Sequence, residues 1–296
     1  TSFGNAGLIA PGHSYAWTTP KLPGNLFKSL FEKKRAFRFK FQWDPAMWYW
    51  GIQFLRQCTH KNMEVNTLRK HRLSIYSQKC FHQLVDETNI SYHGNKKGLI
   101  YFFRTRESFH EGKQKLSMLK PVMKNLQLLN RTELFQLEPA LGRAQTEIFG
   151  GIYCPTDESG SCRNFTLELV KICRKKGASF HFNTTIQNIA KDKHSIKKIN
   201  TNKSDFQADK YVLACAAFSP FIARMVGEYL PIYPVKGYSI TLPILDQEKA
   251  PDHSGIDEDN LLAFSLLGDK IRFTSVAEIS GYDTIHTPSD FTEMVN

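Results

Sequence analysis

The sequence predicts a mixed α/β (α+β) fold, and two stretches of the chain carry this prediction. Residues 150–219 have the pattern strand, helix, strand, with "RNFTLELVKICRKK" as the amphipathic helix and "DKYVLACAAFS" as the closing strand. This spacing is typical of an α/β unit with parallel pairing. After Pro234 the apolar residues follow the two-residue period of strands, in "GYSITLPI", "NLLAFSLL" and "KIRFTSVAEI". Because the two patterns alternate, we expect two interleaved domains.

Composition narrows the class of protein. The 296 residues are 41% hydrophobic and 23% charged, which is ordinary for a chain that folds around a large core. No run of apolar residues is long enough to predict a transmembrane helix. The net charge of +11 is compatible with nucleic acid, an anionic membrane or acidic ligands. The sequence contains no recognisable nucleic-acid-binding module, so we do not expect nucleic acid as a partner.

The N-terminal part combines loops, aromatic residues and basic residues. Glycines and prolines predict a loop over residues 1–24, and Asp44-Pro45 is a favourable helix start. Between them, the basic-aromatic stretch from Lys28 to Phe41 ends in a predicted strand with one apolar and one basic face. Such a stretch fits an ordinary solvated surface or contact with a membrane surface.

Motifs for common chemistries are missing from the sequence. The six cysteines are irregularly spaced without a C-x-x-C pair, so we expect reduced thiols, a cytoplasmic protein and no metal site. The chain has no G-x-G-x-x-G, no phosphate-binding P-loop and no G-x-S-x-G motif. The pair Asp157-Glu158 suits a polar turn better than acid–base catalysis. The residue pattern therefore identifies no catalytic residue.

Five segments, in order, resemble those of bacterial FAD-dependent D-amino acid dehydrogenases of the small-subunit type, within the D-amino acid oxidase (DAO) superfamily. They are "TSFGNAGLIAPG", "FGGIYCPTDESGSCRNFT", "FHFNTTI", "YPVKGYSIT" and "GDKIRFTSVAEISGYDT". The resemblance covers essentially the whole chain. It implies a partial Rossmann-like FAD-binding domain, from residues 1–40 and 150–225, interleaved with a β-rich substrate-binding domain, from residues 41–149 and 226–296.

The resemblance also bears on what surrounds the chain. In the family a βαβ unit with G-x-G-x-x-G precedes the first of these segments, and a segment like G-x-R-P-x-T-P-D-G follows the last. We therefore expect the chain to be an interior portion of a longer enzyme. By itself, this portion is expected to be inactive.

The activity implied is FAD-dependent oxidation of D-amino acids, such as D-alanine, to 2-oxo acids and ammonia. Electrons would pass to the respiratory chain through a membrane quinone or a similar acceptor, from a cytoplasmic protein in peripheral contact with the inner face of the plasma membrane. Two alternatives stay open. One is another amine-oxidising member of the family, of the glycine- or proline-oxidising type, and the other is an inactive remnant.

The resemblance assigns site residues position by position. Residues expected to contact FAD are Thr1, Ser2, Asn5, Ala6, Gly7, Ile186, Ala214, Ala216 and Ser219. At position 216 the family pattern has glycine, so alanine would be unfavourable if the backbone there needs a positive φ. Lys236, Gly237 and Tyr238 are expected to border the substrate pocket. Glu278 receives no role.

Overall fold

A computed structural model describes residues 3–24, 37–123, 125–143 and 147–295. The strands are β1 Leu8–Ile9, β2 Phe37–Phe39, β3 Leu99–Phe103, β4 Gln127–Asn130, β5 Gly150–Cys154, β6 Glu158–Ser159, β7 Ile186–Lys191, β8 Ile196–Thr201, β9 Asp205–Phe206, β10 Lys236–Pro243, β11 Ser254–Asp257, β12 Leu262–Leu266 and β13 Lys270–Ile279. The helices are α1 Pro45–Arg56, α2 His60–Thr88, α3 Arg106–Leu119, α4 Arg131–Leu137, α5 Pro139–Gly142, α6 Cys162–Lys175, α7 Ser219–Met225 and α8 Thr292–Val295.

An eight-stranded mixed sheet is the largest element of the fold. Its strand order is β10-β13-β12-β11-β3-β5-β4, and β2 pairs with the end of β13. Two of its pairs are parallel, β11 with β3 and β2 with β13, whereas the other pairs are antiparallel. Two smaller antiparallel sheets consist of β1 with β6 and of β7, β8 and β9. The predicted mixed α/β fold is confirmed.

The strand–helix–strand unit predicted for residues 150–219 is only partly correct. Its helix is present as α6, but residues 210–215 form no strand and lead into a 3-10 turn at Ala216–Phe218. Val212 is 89% exposed, and the apolar run around it has no ladder partner among the described residues. A strand needs a neighbour for its N–H and C=O groups, so the apolar pattern alone did not produce one. The parallel pairs lie in the large sheet instead.

The core lies on both faces of the large sheet at β3, all five residues of which are buried. Leu99, Tyr101 and Phe103 pack on one side with residues such as Leu116 of α3. Ile100 and Phe102 pack on the other side with residues such as Leu134 of α4. A strand buried on both faces has a continuous apolar sequence, which explains the run "LIYFF".

Helix boundaries follow local capping chemistry. Asp44 accepts a hydrogen bond at 2.9 Å from the N–H of Ala46 and caps α1, as the Asp-Pro pair predicted. Thr59 caps α2 in the same way, and Asn89 ends that helix in a left-handed conformation. Among the described residues, none of the helices is both apolar enough and long enough to cross a bilayer.

Candidate active site

The segment of residues 3–7 is a tight loop whose shape follows from two of its residues. The side chain of Asn5 accepts a hydrogen bond at 2.9 Å from the N–H of Gly7, which closes a turn. Gly7 has a φ of +69°, and a Cβ at this position would lie 2.7 Å from the carbonyl oxygen of Gly160. Only glycine fits both the left-handed backbone and this close approach. The N–H of Gly160 in turn donates to the carbonyl of Gly7 at 2.8 Å.

A buried arginine holds this loop against the large sheet. Arg272 of β13 is 6% exposed, and its Nη1 donates to the carbonyl oxygens of Phe3 and, at 3.2 Å, Asn5. Its Nε donates to the hydroxyl of Thr241, the directly paired residue of β10, at 2.9 Å. One guanidinium therefore joins the loop to the strand that contains the predicted substrate residues.

The loop and β10 also meet directly. An ideal Cβ built on Gly4 would be 3.5 Å from the hydroxyl of Ser239, the residue after Tyr238. The predicted FAD residue Asn5 therefore follows a glycine that faces the predicted substrate strand. Ala6 and Gly7 continue the same loop. Thr1 and Ser2 lie outside the described residues.

The three predicted pocket residues sit at an irregular point of the sheet. Lys236 pairs with Glu278 and Tyr238 pairs with Ser275, so that β13 has an extra residue opposite Gly237. Val276 lies in this bulge with a φ of +67°, an unfavourable conformation for a β-branched residue. Lys236 and Tyr238 are two positions apart in β10 and therefore lie on the same face of the strand, where both approach one carboxylate.

That carboxylate belongs to Glu278, which has no exposed surface. Its Oε1 is 3.1 Å from the ammonium of Lys40 and 3.7 Å from that of Lys236, and its Oε2 accepts a hydrogen bond at 3.3 Å from the Tyr238 hydroxyl. Burial and the charge of Glu278 raise the pKa of Tyr238 to about 12. Tyr238 is therefore a neutral hydrogen-bond donor at physiological pH.

The remaining predicted FAD contacts lie in a second region. Ala216 begins a 3-10 turn with a φ of +47°, which is the left-handed conformation that glycine adopts more easily. Ser219 is buried at the start of α7, and Ala214 is exposed just before the turn. The hydroxyl of Tyr282 donates to the carbonyl of Ala217 at 2.8 Å and so joins the turn to the chain after β13. Ile186 is the first residue of β7.

A buried acidic cluster was not predicted from the sequence. Asp157 is 1% exposed; it accepts hydrogen bonds from the Tyr101 hydroxyl at 2.5 Å and from the N–H of Gly12 at 2.9 Å. Burial raises its pKa against the opposing effect of these hydrogen bonds. Asp157 follows a turn at residues 155 and 156, and its carboxylate accepts from the backbone N–H of Gly12, which fixes the segment that follows the N-terminal loop. The sequence did not indicate that both Asp157 and Glu158 are buried.

Arg272, Glu278 and Asp157 are the site-forming residues that the sequence reasoning left without a role. Each of them had a signal in the sequence. Arg272 and Glu278 are charged residues inside a strand of mostly apolar or small side chains, where a charge is buried only with partners. Asp157 lies three positions after the end of the buried strand β5.

The sequence over the whole chain matches a class of protein, the FAD-dependent oxidoreductases. The chain belongs to the DAO family, described as FAD dependent oxidoreductase, which matches residues 1–296.

Similar proteins are known from sequence and from structure. The chain is 35% identical to D-amino acid dehydrogenase 2 of Mesorhizobium japonicum, over 99% of the chain and 71% of that protein. It is 37% identical to the D-amino acid dehydrogenase of Paramagnetospirillum magneticum, over 97% of the chain and 68% of that protein. Similar solved structures are glycine oxidase from Geobacillus kaustophilus and iminodiacetate oxidase from Chelativorans sp. BNC1. The TM-scores are 0.63 and 0.65, at 17% and 13% identity. The alignments cover 74% of the chain and 59% of glycine oxidase, and 100% of the chain and 67% of iminodiacetate oxidase.

The loop of residues 3–7 fits an anionic cofactor such as FAD. The guanidinium of Arg272 lies below it, and that of Arg163 is 5.7 Å from the centre of the Phe3 ring. The buried hydroxyl of Ser265 lies beside Gly7 and has no hydrogen-bond partner among the described residues. Positive charge and a spare polar group beside a loop whose residues 4–7 have small side chains are what a phosphate-containing cofactor requires.

Proposed function

We propose that the protein oxidises D-amino acids with FAD and releases 2-oxo acids and ammonia. Support comes from the relatives named D-amino acid dehydrogenase, which are 35% and 37% identical over almost the whole chain. The observation that carries the proposal is that the loop of residues 3–7 lies against β10, where Arg272 binds both. A cofactor along this loop would face the strand that begins with Lys236.

In this proposal the residues have separate tasks. The contacts with FAD come from Thr1, Ser2, Asn5, Ala6, Gly7, Ile186, Ala214, Ala216 and Ser219. Bound FAD would supply the hydride acceptor for oxidation of the substrate amine to an imine, which water would hydrolyse to the 2-oxo acid and ammonia. Lys236, Gly237 and Tyr238 border the substrate. An ion pair with Glu278 holds Lys236, and a hydrogen bond to the same carboxylate holds Tyr238. A partly desolvated pocket favours the neutral amine that hydride transfer requires.

The proposal extends to the division of the chain and to the electron acceptor. Residues 1–40 and 150–225 contribute to an FAD-binding domain, and residues 41–149 and 226–296 contribute to a substrate-binding domain. A membrane quinone or another component of the respiratory chain takes up the electrons. This acceptor fits a cytoplasmic protein in peripheral contact with the inner face of the plasma membrane.

The test uses the product of the whole reading frame that contains residues 1–296, purified with FAD. D- and L-amino acids, glycine and proline are compared as substrates with an artificial electron acceptor, and 2-oxo acid is measured as product. We expect reduction of the acceptor with D-amino acids, matched by 2-oxo acid. Oxidation of only glycine or proline would assign the protein to another activity of the family. A protein that binds no flavin would be an inactive remnant.

A matched pair of variants tests the predicted pocket. Lys236→Met removes the ammonium beside Glu278, and Lys270→Met removes an exposed ammonium at the start of β13. We expect Lys236→Met to raise KM for D-amino acids and Lys270→Met to leave it unchanged. Equal effects of the two variants would contradict the placement of the pocket.

A further inference from the structure

Arg272 is a buried charge whose partners are neutral. The residue is 6% exposed, and its guanidinium donates to two carbonyl oxygens and one hydroxyl. Within the described residues no carboxylate forms an ion pair with it. Its Cζ also lies 5.3 Å from the centre of the Phe3 ring, which is a further neutral contact.

A buried guanidinium without a counter-ion is unfavourable. The desolvation free energy of a buried charge exceeds the stabilisation that hydrogen bonds to neutral partners provide. Burial lowers the pKa of Arg272 for the same reason. Arginine nevertheless stays protonated in proteins. A glutamine could donate to the same carbonyl oxygens without this penalty. The position of the charge therefore suggests a task beyond fixing the loop.

The guanidinium of Arg272 lies against the loop of residues 3–7. In the proposed function, this loop lies along the flavin. The guanidinium bonds the carbonyl oxygens of Phe3 and Asn5, and Asn5 is one of the predicted cofactor contacts. A flavin gains negative charge when it takes up a hydride. In a low-dielectric interior, a fixed positive charge next to such a group favours its charged form.

We propose that Arg272 is a positioning residue with an electrostatic function: it fixes the loop of residues 3–7 and makes the bound flavin easier to reduce. This inference rests on the proposed function, because it requires FAD beside that loop. Arg272 need not touch the substrate. It acts on the flavin through the loop and through its field.

The test compares variants that alter the charge with variants that keep it. Arg272→Gln removes the charge. Thr241→Glu keeps the arginine and places a carboxylate beside its Nε, at an exposed position of β10. Arg272→Lys keeps the charge with fewer donors, Thr241→Gln is the neutral counterpart of Thr241→Glu, and Lys270→Gln removes an exposed charge from the same strand. Thr241→Glu keeps the test valid if Arg272→Gln does not fold.

Two readouts report on the flavin itself, in the FAD-loaded product of the whole reading frame. They are its reduction potential against reference dyes and its affinity for sulfite, which adds to flavins and leaves a negative charge on the ring. We expect Arg272→Gln and Thr241→Glu to lower the potential. They should weaken sulfite binding about tenfold, as for one charge acting at an effective dielectric of about 20. The other three variants should keep both values close to those of the wild type.

The outcomes separate the inference from the proposed function. Unchanged potentials and sulfite affinities in Arg272→Gln and Thr241→Glu, with only the melting temperature or FAD affinity reduced, would overturn the electrostatic role. Arg272→Lys behaving like Arg272→Gln would also overturn it, because the charge is then not what matters. A wild-type protein that binds no flavin would instead contradict the proposed function, and the inference would fall with it.

Discussion

The ammonium of Lys40 lies 3.1 Å from the Oε1 atom of Glu278, a carboxylate with no exposed surface. The ammonium of Lys236 approaches the same oxygen to 3.7 Å, and the Tyr238 hydroxyl binds the other oxygen. The two lysines differ in exposure, since 50% of the Lys40 side chain is exposed and only 14% of the Lys236 side chain. Lys236 therefore depends more strongly on the carboxylate.

Loss of this carboxylate should destabilise the protein. We expect Glu278→Gln to lower the free energy of unfolding by about 3 kcal/mol. This is the low end for a broken buried ion pair, because the ammonium of Lys40 can turn to water. Lys40→Gln is the control and should cost only ~0–1 kcal/mol, because its ammonium is half exposed. Urea unfolding measures both values. Equal stability of Glu278→Gln and the wild type would show that the buried carboxylate has no net stabilising role.

The raised pKa of Tyr238 predicts a loss of stability at high pH. Burial and Glu278 raise this pKa from 10.0 to about 12 in the folded protein. A group with a raised folded pKa contributes stability that is complete below its unfolded pKa and is lost as the pH rises through the folded pKa. We therefore expect the free energy of unfolding to fall between pH 10 and pH 12.

Tyr238→Phe removes this titration and should show a smaller fall over the same range. Tyr92 has a similar pKa of about 12, so part of the fall should remain in that variant. Unfolding by urea at a series of pH values gives the comparison. Parallel curves for Tyr238→Phe and the wild type would contradict the assignment to Tyr238.

Asp157 should be required for stability through its hydrogen bonds. Asp157→Ala leaves the Tyr101 hydroxyl and the N–H of Gly12 without their acceptor, at about 1–3 kcal/mol for each buried group. Asp157→Asn keeps one acceptor oxygen and should cost less. Urea unfolding measures both variants. An alanine variant as stable as the asparagine variant would exclude this role.

The pH dependence of the stability of Asp157→Asn, compared with the wild type, gives the sign of the Asp157 pKa shift. Its pKa is raised, so its contribution to stability is complete below the unfolded value of 3.8 and is lost as the pH rises through the folded value. The difference in stability between Asp157→Asn and the wild type should therefore narrow as the pH rises from acid to neutral. A difference that widens would mean that the carboxylate is preferred in its charged form.

The sequence predicted those parts of the fold that local chemistry determines. Asp44 followed by proline located the start of α1. The two-residue period after Pro234 located β10, β12 and β13. In each case the signal lies within a few residues of the element that it specifies.

Long-range contacts explain what the sequence did not reveal. Arg272 binds the carbonyl of Phe3, 269 positions away, and nothing near either residue indicates the other. In helix α2, the apolar residues of the sequence do not identify the buried face. Its buried face includes Thr67 and His71, whereas Leu73 and Tyr76 are 67% and 65% exposed. Packing against the N-terminal loop, rather than the apolar pattern, determines which face of this helix is buried.

The left-handed backbone at Ala216 predicts a stabilising substitution. The left-handed conformation is unfavourable by roughly 1–2 kcal/mol for an L-residue with a side chain. Substitution by glycine removes this strain, but part of the gain in stability is lost because glycine is more flexible in the unfolded chain. We expect Ala216→Gly to raise the free energy of unfolding by about 0.5–1 kcal/mol. The neighbouring Ala217 has no positive φ, so Ala217→Gly is the matched control and should be destabilising. Loss of stability in both variants would contradict the strain at position 216.

An exposed aromatic cluster provides the structural basis for testing membrane contact. Residues 25–36, which include most of the basic-aromatic stretch from Lys28 to Phe41, lie outside the described residues. At its end, Phe41 and Trp43 are 58% and 91% exposed, with ring centres 5.5 Å apart, and the ring of Trp48 is 5.1 Å from Phe41. Exposed tryptophan beside lysine is typical of proteins that bind at the interface of a bilayer.

We expect the protein to sediment with vesicles of anionic phospholipid at low salt and less so at high salt, because screening weakens attraction between exposed charges. Trp43→Ser should reduce binding, since it removes the most exposed aromatic ring of the cluster. Trp17 is 56% exposed in a loop outside the cluster, so Trp17→Ser is the matched control and should bind as the wild type does. Binding that is insensitive to salt, or equal loss in the two variants, would show that this surface is not the one that meets the membrane.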